Sequence, residues 1–331
     1  SRALHDNPLI SLEVRQRIQQ MAQEMGYTPN QVAQSLKGRR TNTVGVVITS
    51  ISDPFLARVV RGIEDVAQAA GVQILLSISN NDPDREMSLI DSFHRRRVDG
   101  VISSTAQISD AHFRRLAKTR APTVLINQQA PGDATLVRSV QVDDYAGACQ
   151  AMDHLLALGH RAIGYLGAAN RPRSNWIRLT AYRDALRTAG IAGSEAWIKV
   201  APPERRYYAD DVADGLAMLP ELARTGVTAV CCYNDTIAIG ALLACRRFGI
   251  AVPEQLSIIG FDDVELAQYV APPLTSIHQP KLRLGEHAMR MVLDLVAGRP
   301  VQNQVLTTNL VVRNSTGAPR AERLPLSVIS Y

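Results

Sequence analysis

The feature that most constrains the fold is a regular alternation, after residue 43, of short apolar runs and longer amphipathic segments. Seven runs rich in β-branched residues recur, at residues 44–48, 72–78, 98–103, 123–127, 162–167, 228–233 and 256–261. Segments of helical length and period lie between them, at residues 55–70, 85–96, 145–158, 179–189 and 236–248. Strands that alternate with such helices are typical of βαβ units and parallel sheets. The units are too many for one domain, so the sequence predicts an α/β protein with two doubly wound parallel-sheet lobes.

The first 42 residues have a different pattern. Ser11 can open a helix that Gly26 ends, and a second short helix at residues 31–37 is followed by a polar linker at residues 39–42. Two small helices bury too little surface to fold alone, so we expect further helical residues upstream. This segment carries six basic and three acidic residues and so supplies +3 of the net charge of +5. A basic arm on a nearly neutral body predicts that only the arm contacts a polyanion.

The composition and motifs exclude several classes of protein. The four cysteines form no C-x-x-C pair, which indicates reduced thiols in a cytoplasmic protein. Neither a signal peptide nor an apolar run of about 18 residues is present, so we expect no membrane contact. The sequence also lacks a dinucleotide or P-loop motif, a nucleophile elbow and metal-ligand histidine spacing. We therefore expect no enzyme activity, no cofactor and no metal.

Several longer motifs resemble one known family. They are the stretch from residue 1 to residue 47, SDPFLARVVRGIE (52–64), RRRVDGVI (95–102), HLLALGHRAIGYLG (154–167), RLTAYRDAL (178–186), NDTIAIGALLACRRFGIAVPEQLSIIGFDD (234–263) and PPLTSIHQP (272–280). Together they resemble the LacI/GalR transcriptional regulators, in order, from residue 1 to about residue 315. The C-terminal part is most similar to the ribose-type repressors of that family.

The resemblance implies a domain organisation. It predicts two lobes of the periplasmic-binding-protein type, behind an N-terminally truncated all-α helix-turn-helix domain and a hinge helix. The expected boundaries are residues 1–29 for the helix-turn-helix remnant, 30–42 for the hinge helix and linker, 43–142 plus 280–308 for the N-terminal lobe, 143–279 plus 309–316 for the C-terminal lobe, and 317–331 for a tail.

The resemblance also implies a function. It predicts a repressor of a carbohydrate-utilisation operon, which binds pseudo-palindromic operator DNA as a homodimer and is controlled by a small sugar or sugar-acid effector between the lobes. The alternative is a solute-binding protein for sugar uptake, which would share the core. Such a protein would need a signal peptide and would have no use for residues 27–40.

The expected effector site lies where polar residues follow strands, because ligands of such folds bind outside the carboxyl ends of parallel strands. Amide and carboxylate groups there can pair with sugar hydroxyls, although asparagine and aspartate also cap helices. The resemblance favours effector binding, with Phe55 packing on a sugar ring. The residues assigned to the effector are Asp262, Asn234, Arg178, Gln279, Asn127, Phe55, Asp53 and Asn80, with Trp176 and Tyr207 as further lining residues.

The expected DNA contacts lie in the first 42 residues. Leu36 matches the residue that the family inserts into the minor groove, where an apolar wedge kinks the duplex. Arg2 matches a recognition-helix arginine, which can read a guanine edge or contact a phosphate. The full set is Arg2, Tyr27, Asn30, Val32, Ala33, Leu36, Lys37 and Arg39.

Overall fold

The computed structural model describes residues 9–26, 40–104, 121–130, 136–202 and 210–319. The chain forms two compact units, Ser1–Thr41 and Asn42–Tyr331. In the first unit, helix α1 spans Leu12–Glu24, with Ser11 at its N-cap. Gly26 adopts a φ of +61° just beyond the helix, a conformation that glycine tolerates best. The helix predicted between Ser11 and Gly26 is therefore confirmed.

The second unit contains two six-stranded sheets, the first of which is wholly parallel. Its strand order is β11-β5-β4-β3-β1-β2. The strands are β1 (Thr43–Ile48), β2 (Gln73–Ile78), β3 (Gly100–Ser104), β4 (Thr123–Ile126), β5 (Val137–Val142) and β11 (Gln304–Leu306). Two helices, α2 (Pro54–Ala69) and α8 (Lys281–Val296), cover one face, and α3 (Pro83–Arg95) packs on the other.

The second sheet has the order β12-β10-β9-β8-β6-β7. Its strands are β6 (Ile163–Ala168), β7 (Ile198–Ala201), β8 (Ala229–Cys232), β9 (Ser257–Asp262), β10 (Thr275–His278) and β12 (Asn309–Val311). Helices α6 (Asp210–Ala223) and α7 (Asp235–Arg247) cover one face, while α4 (Asp144–Ala157) and α5 (Pro172–Thr188) cover the other. Helices on both faces of each sheet confirm the predicted doubly wound architecture.

The chain passes between the sheets three times, after β5, after β10 and after β11. The last crossing takes only residues 307–308, so β12 enters the second sheet at the end where the parallel strands finish. It must therefore run antiparallel to β10, as its register shows. Among the described strands, this edge strand is the one that departs from the expected parallel pairing. Among the helices described above, none is long and apolar enough to cross a membrane.

Helix α5 is longer than the sequence predicts, because it begins at Pro172 rather than at residue 179. Its first turn is polar, so the apolar periodicity that predicts a helix begins only after that turn. Proline at the first helical position supports this start, since its fixed φ suits the helix. The earlier start has a functional consequence, because it places Arg173 and Ser174 in the helix turn that faces the cleft described below.

Candidate ligand-binding cleft

A cleft lies at the carboxyl ends of strands from both sheets, with about 630 Å³ of empty space that includes the open solvent at its mouth. It is lined by three arginines, two aspartates, four amides, four hydroxyl groups and an apolar wall of Phe55, Leu56 and Ile126. Seven of the eight residues that the sequence assigns to an effector lie in this lining: Asp262, Asn234, Arg178, Gln279, Asn127, Phe55 and Asp53. Their role in binding stays a prediction, but the structure brings them to one place.

Two predicted residues lie outside this lining, and a third is outside the described residues. Asn80 is not among the residues that line the cleft, because it follows β2, the edge strand of the first sheet. Trp176 is 67% exposed on α5 and also lies outside the lining. Tyr207 lies outside the described residues. A position after a strand is therefore not enough, because the strand must also be near the centre of its sheet.

Asp262 ends β9 in an unusual backbone conformation. Its φ of +109° is one that residues with a side chain rarely adopt, at a cost of about 1–3 kcal/mol. The buried ammonium group of Lys281 donates hydrogen bonds to the carbonyl oxygens of Asp262 and Asp263, which holds this turn. The Gln279 amide donates to Asp262 Oδ1 at 2.5 Å. Burial raises the pKa of Asp262 to about 7, although the charge of Arg178 works to lower it.

Arg178 is buried beneath the cleft and is held from several sides. Its Nε donates to Asp144 Oδ1 at 2.8 Å, and its Nη1 donates to the Tyr233 carbonyl oxygen at 2.5 Å. The guanidinium also lies 3.6 Å from the ring centre of Phe261, within the range of a cation–π contact. Burial is the largest single influence on the pKa of Arg178 and works to lower it, but the nearby charges of Asp144 and Asp262 and other contacts together raise it, so the group stays ionised.

Arg171 is a cleft residue that the sequence analysis missed. It occupies the N-cap position of α5, and its guanidinium lies 3.2 Å from Asp211 Oδ2 and 3.6 Å from Asp53 Oδ2. Asp53 caps α2 of the other lobe by accepting a hydrogen bond from the Phe55 amide at 2.9 Å. Burial raises the pKa of Asp53 to about 6, against the lowering effect of Arg171. The partners that place Arg171 in the cleft, Asp53 and Asp211, lie far from it along the chain, so local motifs do not show its role.

Asn234 and Asn127 both use their side chains within the protein. Asn234 caps α7, with Oδ1 accepting from the Ile237 amide at 2.8 Å and Nδ2 donating to Asp211 at 2.7 Å. Asn127 has a φ of +55°, and its Oδ1 accepts from the Val142 amide at 3.3 Å. The capping alternative thus holds for Asn234, and effector binding by either residue stays a prediction.

Three further predictions concern the DNA contacts, the cysteines and metal binding. All eight expected DNA contacts, Arg2, Tyr27, Asn30, Val32, Ala33, Leu36, Lys37 and Arg39, lie outside the described residues. The four cysteines are free thiols. Across the described ranges, no group of three or more histidine, cysteine, aspartate or glutamate side chains is arranged to hold a metal ion.

Comparisons with known proteins place this architecture in a class. A family model described as a periplasmic binding protein-like domain matches residues 152–316. The HTH-type transcriptional regulator GalR of Escherichia coli (strain K12) is 33% identical over 326 residues, which cover 97% of this chain and 92% of that protein. The HTH-type transcriptional repressor CytR of the same strain is 32% identical over 321 residues, which cover 96% and 92%.

Two solved structures are similar over most of the chain. The transcriptional regulator CelR in complex with cellobiose has a TM-score of 0.74 and 27% identity, covering 95% of this chain and 94% of that one. A LacI family transcriptional regulator from Enterococcus faecium with bound ribose has a TM-score of 0.74 and 27% identity, covering 84% and 100%.

These likenesses define a transcriptional regulator built on a periplasmic-binding-protein-like core. The chain belongs to the LacI/GalR family. It is a DNA-binding regulator of transcription, and the alternative of a solute-binding protein for uptake is set aside because its relatives are HTH-type regulators over nearly their whole length.

Proposed function

We propose that this regulator represses a carbohydrate-utilisation operon and that a small sugar or sugar acid in the cleft controls it. The observation that carries the proposal is the lining itself: carboxylate, amide and guanidinium groups surround an apolar wall at the carboxyl ends of two sheets. Such groups pair with vicinal hydroxyls, and the apolar wall packs on a sugar ring. Related regulators that were solved with cellobiose and with ribose support the same class of ligand.

Contacts across the cleft supply the means of control. The Arg171 guanidinium reaches Asp53 of the other lobe, and Asn81 Nδ2 donates to the Asn170 carbonyl oxygen at 2.9 Å. A ligand that contacts both lobes stabilises one angle between them, and thereby shifts the population of the DNA-binding form. We propose that the shift reaches DNA through the linker at residues 39–42.

We further propose that the protein acts in the cytoplasm as a homodimer on a pseudo-palindromic operator. A two-fold dimer presents two recognition helices to two half-sites, so the symmetry of the operator mirrors that of the protein. In this proposal Arg2 contacts a base or a phosphate, Leu36 wedges the minor groove, and Lys37 and Arg39 contact phosphates.

Selection of DNA sites from a random duplex library tests this function. The full-length protein is expected to enrich a pseudo-palindrome and to bind it far more tightly than a scrambled duplex of equal length. A thermal-shift screen of neutral sugars and sugar acids is expected to identify a stabilising ligand, since a ligand far above its Kd stabilises by a few kcal/mol. Enrichment of no common sequence would refute operator recognition.

A further inference from the structure

Three arginines line the cleft, and two of them are already neutralised by carboxylates of the protein. Arg171 faces Asp53 and Asp211, at 3.6 Å and 3.2 Å. Arg178 faces Asp144 at 2.7 Å and Asp262 at 4.0 Å. These two guanidinium groups therefore already have carboxylate partners within the protein, and they offer little net charge to a ligand.

The third arginine, Arg173, is different. It is half-buried in the first turn of α5. Among the described residues its side chain makes one long hydrogen bond, of 3.4 Å, from Nη2 to Gln141 Oε1 on β5 of the other lobe. Within the part of the chain that the structure describes, no carboxylate lies within 4.0 Å of its guanidinium. A half-buried cation without a counter-ion gains from an anionic partner, and the planar fork of arginine suits a carboxylate in particular.

The surroundings of Arg173 fix where an anion can bind. The N-terminal end of a 17-residue helix favours negative charge in its first turn, where Arg173 lies. At the end of β9, by contrast, an anion would meet the carboxylate of Asp262, which also lines the cleft. Asp53 is already paired with Arg171. The anionic group of a ligand is therefore expected at the α5 end of the cleft.

A second and independent observation points to a ligand hydroxyl. Gln279 is 1% exposed and lines the cleft, and its Nε2 donates to Asp262 Oδ1. Its Oε1, however, has no hydrogen-bond partner among the described residues. A buried acceptor without a donor is unusual, and a donor from a bound ligand would satisfy it.

We propose that the effector is a polyhydroxylated carboxylic acid, whose carboxylate binds Arg173 and one of whose hydroxyls donates to Gln279 Oε1. This rests on the proposed function, because it names the chemical class of effector for the same cleft. A monoanion matches the Arg173 guanidinium, which has no carboxylate within 4.0 Å among the described residues. A phosphate dianion would bring a second negative charge into a cleft that Asp53 and Asp262 also line. A bound carboxylate would compete with the weak contact between Arg173 and Gln141, which connects the two lobes.

Paired ligands test the class of effector. The pairs are D-glucose with D-gluconate, D-galactose with D-galacturonate and D-ribose with D-ribonate, and D-glucose 6-phosphate and D-ribose 5-phosphate represent the phosphate source. In calorimetry and thermal shift, at least one carboxylate is expected to bind ten times or more as tightly as its neutral partner and as either phosphate. Neutral sugars or phosphates that bind as tightly as the carboxylates would overturn the proposal, and so would the absence of binding by all three classes.

Variants of Arg173 test the assigned contact. Arg173→Gln is expected to weaken the preferred acid by about tenfold to a hundredfold, the loss expected for a hydrogen bond to a charged group. Arg173→Lys should restore part of this loss, because it keeps the charge without the fork. Arg183→Gln is the matched control, since Arg183 lies on the same helix and pairs with the exposed Glu195. Equal affinities for wild type and Arg173→Gln, with unchanged unfolding temperatures, would refute the contact.

DNA site selection separates this inference from the proposed function. If the protein binds a pseudo-palindrome and responds only to neutral sugars, the proposed function stands and the inference about a carboxylic acid is refuted. If the protein binds the acids but selects no DNA site, the inference about the cleft stands and the proposed regulatory function is refuted.

Discussion

At the scale of single residues, Asp262 concentrates the properties expected of a ligand-binding group. Its backbone is strained, its carboxylate is buried, and its partners are Gln279 and the more distant Arg178. The sequence predicts its place, because Asp262 follows an apolar run at a strand end. The sequence does not predict that Arg171 lines the cleft, or that Gln279 Oε1 has no hydrogen-bond partner among the described residues. Both properties depend on neighbours that only the folded chain brings together.

The raised pKa of Asp262 gives a prediction about pH and stability. The folded pKa of about 7 lies above the ordinary value of 3.8, so the folded protein binds more protons than the unfolded chain between these values. The contribution of Asp262 to the free energy of unfolding is therefore fully present below about pH 4, and it is lost as the pH rises through about 7. Asp262→Asn removes the titration, so its free energy of unfolding should fall less between pH 4 and pH 7.5 than that of wild type.

Denaturant titrations of both proteins across this pH range measure the difference. Glu195→Gln is the control, because the side chain of Glu195 is 83% exposed. The control should follow the wild-type curve. Parallel curves for wild type and Asp262→Asn would show that Asp262 does not titrate in this range in the folded protein.

At the scale of elements, the strands that appear as dense apolar runs were predictable, and the short or polar strands were not. All seven apolar runs correspond to strands, six of them inside a sheet and one, β2, at an edge. The apolar runs do not include β5, β7, β10 and β11, which are short or carry polar residues, whereas β12 lies in the segment 309–316 that the resemblance assigns to the C-terminal lobe. Helices α6 and α8 were also missed, although α8 packs closely on α2.

The contact between α2 and α8 depends on two glycines. A Cβ at Gly62 would lie 2.1 Å from the Leu282 carbonyl oxygen, and one at Gly285 would lie 1.9 Å from that of Val59. Gly62→Ala must therefore push the two helices apart, and we expect it to lower the free energy of unfolding by about 1–3 kcal/mol. Gly193→Ala, where the nearest contact is an ordinary 3.6 Å, should change it little. Chemical denaturation measures both, and equal effects would contradict the close packing.

At the scale of the whole second unit, the pair of Arg171 and Asp53 connects the two lobes at the cleft. Their side chains are 18% and 8% exposed, and removing one partner of a buried pair leaves the other charge unpaired. Arg171→Met should therefore destabilise the protein by about 3 kcal/mol. Arg58 and Glu265 form a second pair between residues of the two lobes, but their side chains are 57% and 61% exposed. Arg58→Gln should lower the free energy of unfolding by less than about 1 kcal/mol.

A double-mutant cycle with Asp53→Asn isolates the coupling between Arg171 and Asp53. Thermal unfolding of the two single variants and the double variant gives the interaction free energy directly. A coupling as small as that of an exposed pair would mean that this contact does not hold the lobes together.

The central claim is that a small molecule in the cleft controls binding to DNA, and one titration tests it most directly. Fluorescence anisotropy of the selected operator with full-length protein, with and without the stabilising ligand at saturation, measures the coupling between the two sites. We expect the operator affinity to change by about fivefold or more, the usual scale of such coupling, and Asp262→Ala to require far more ligand for the same change. An operator affinity that saturating ligand leaves unchanged, or a response of Asp262→Ala at wild-type ligand concentrations, would contradict the account.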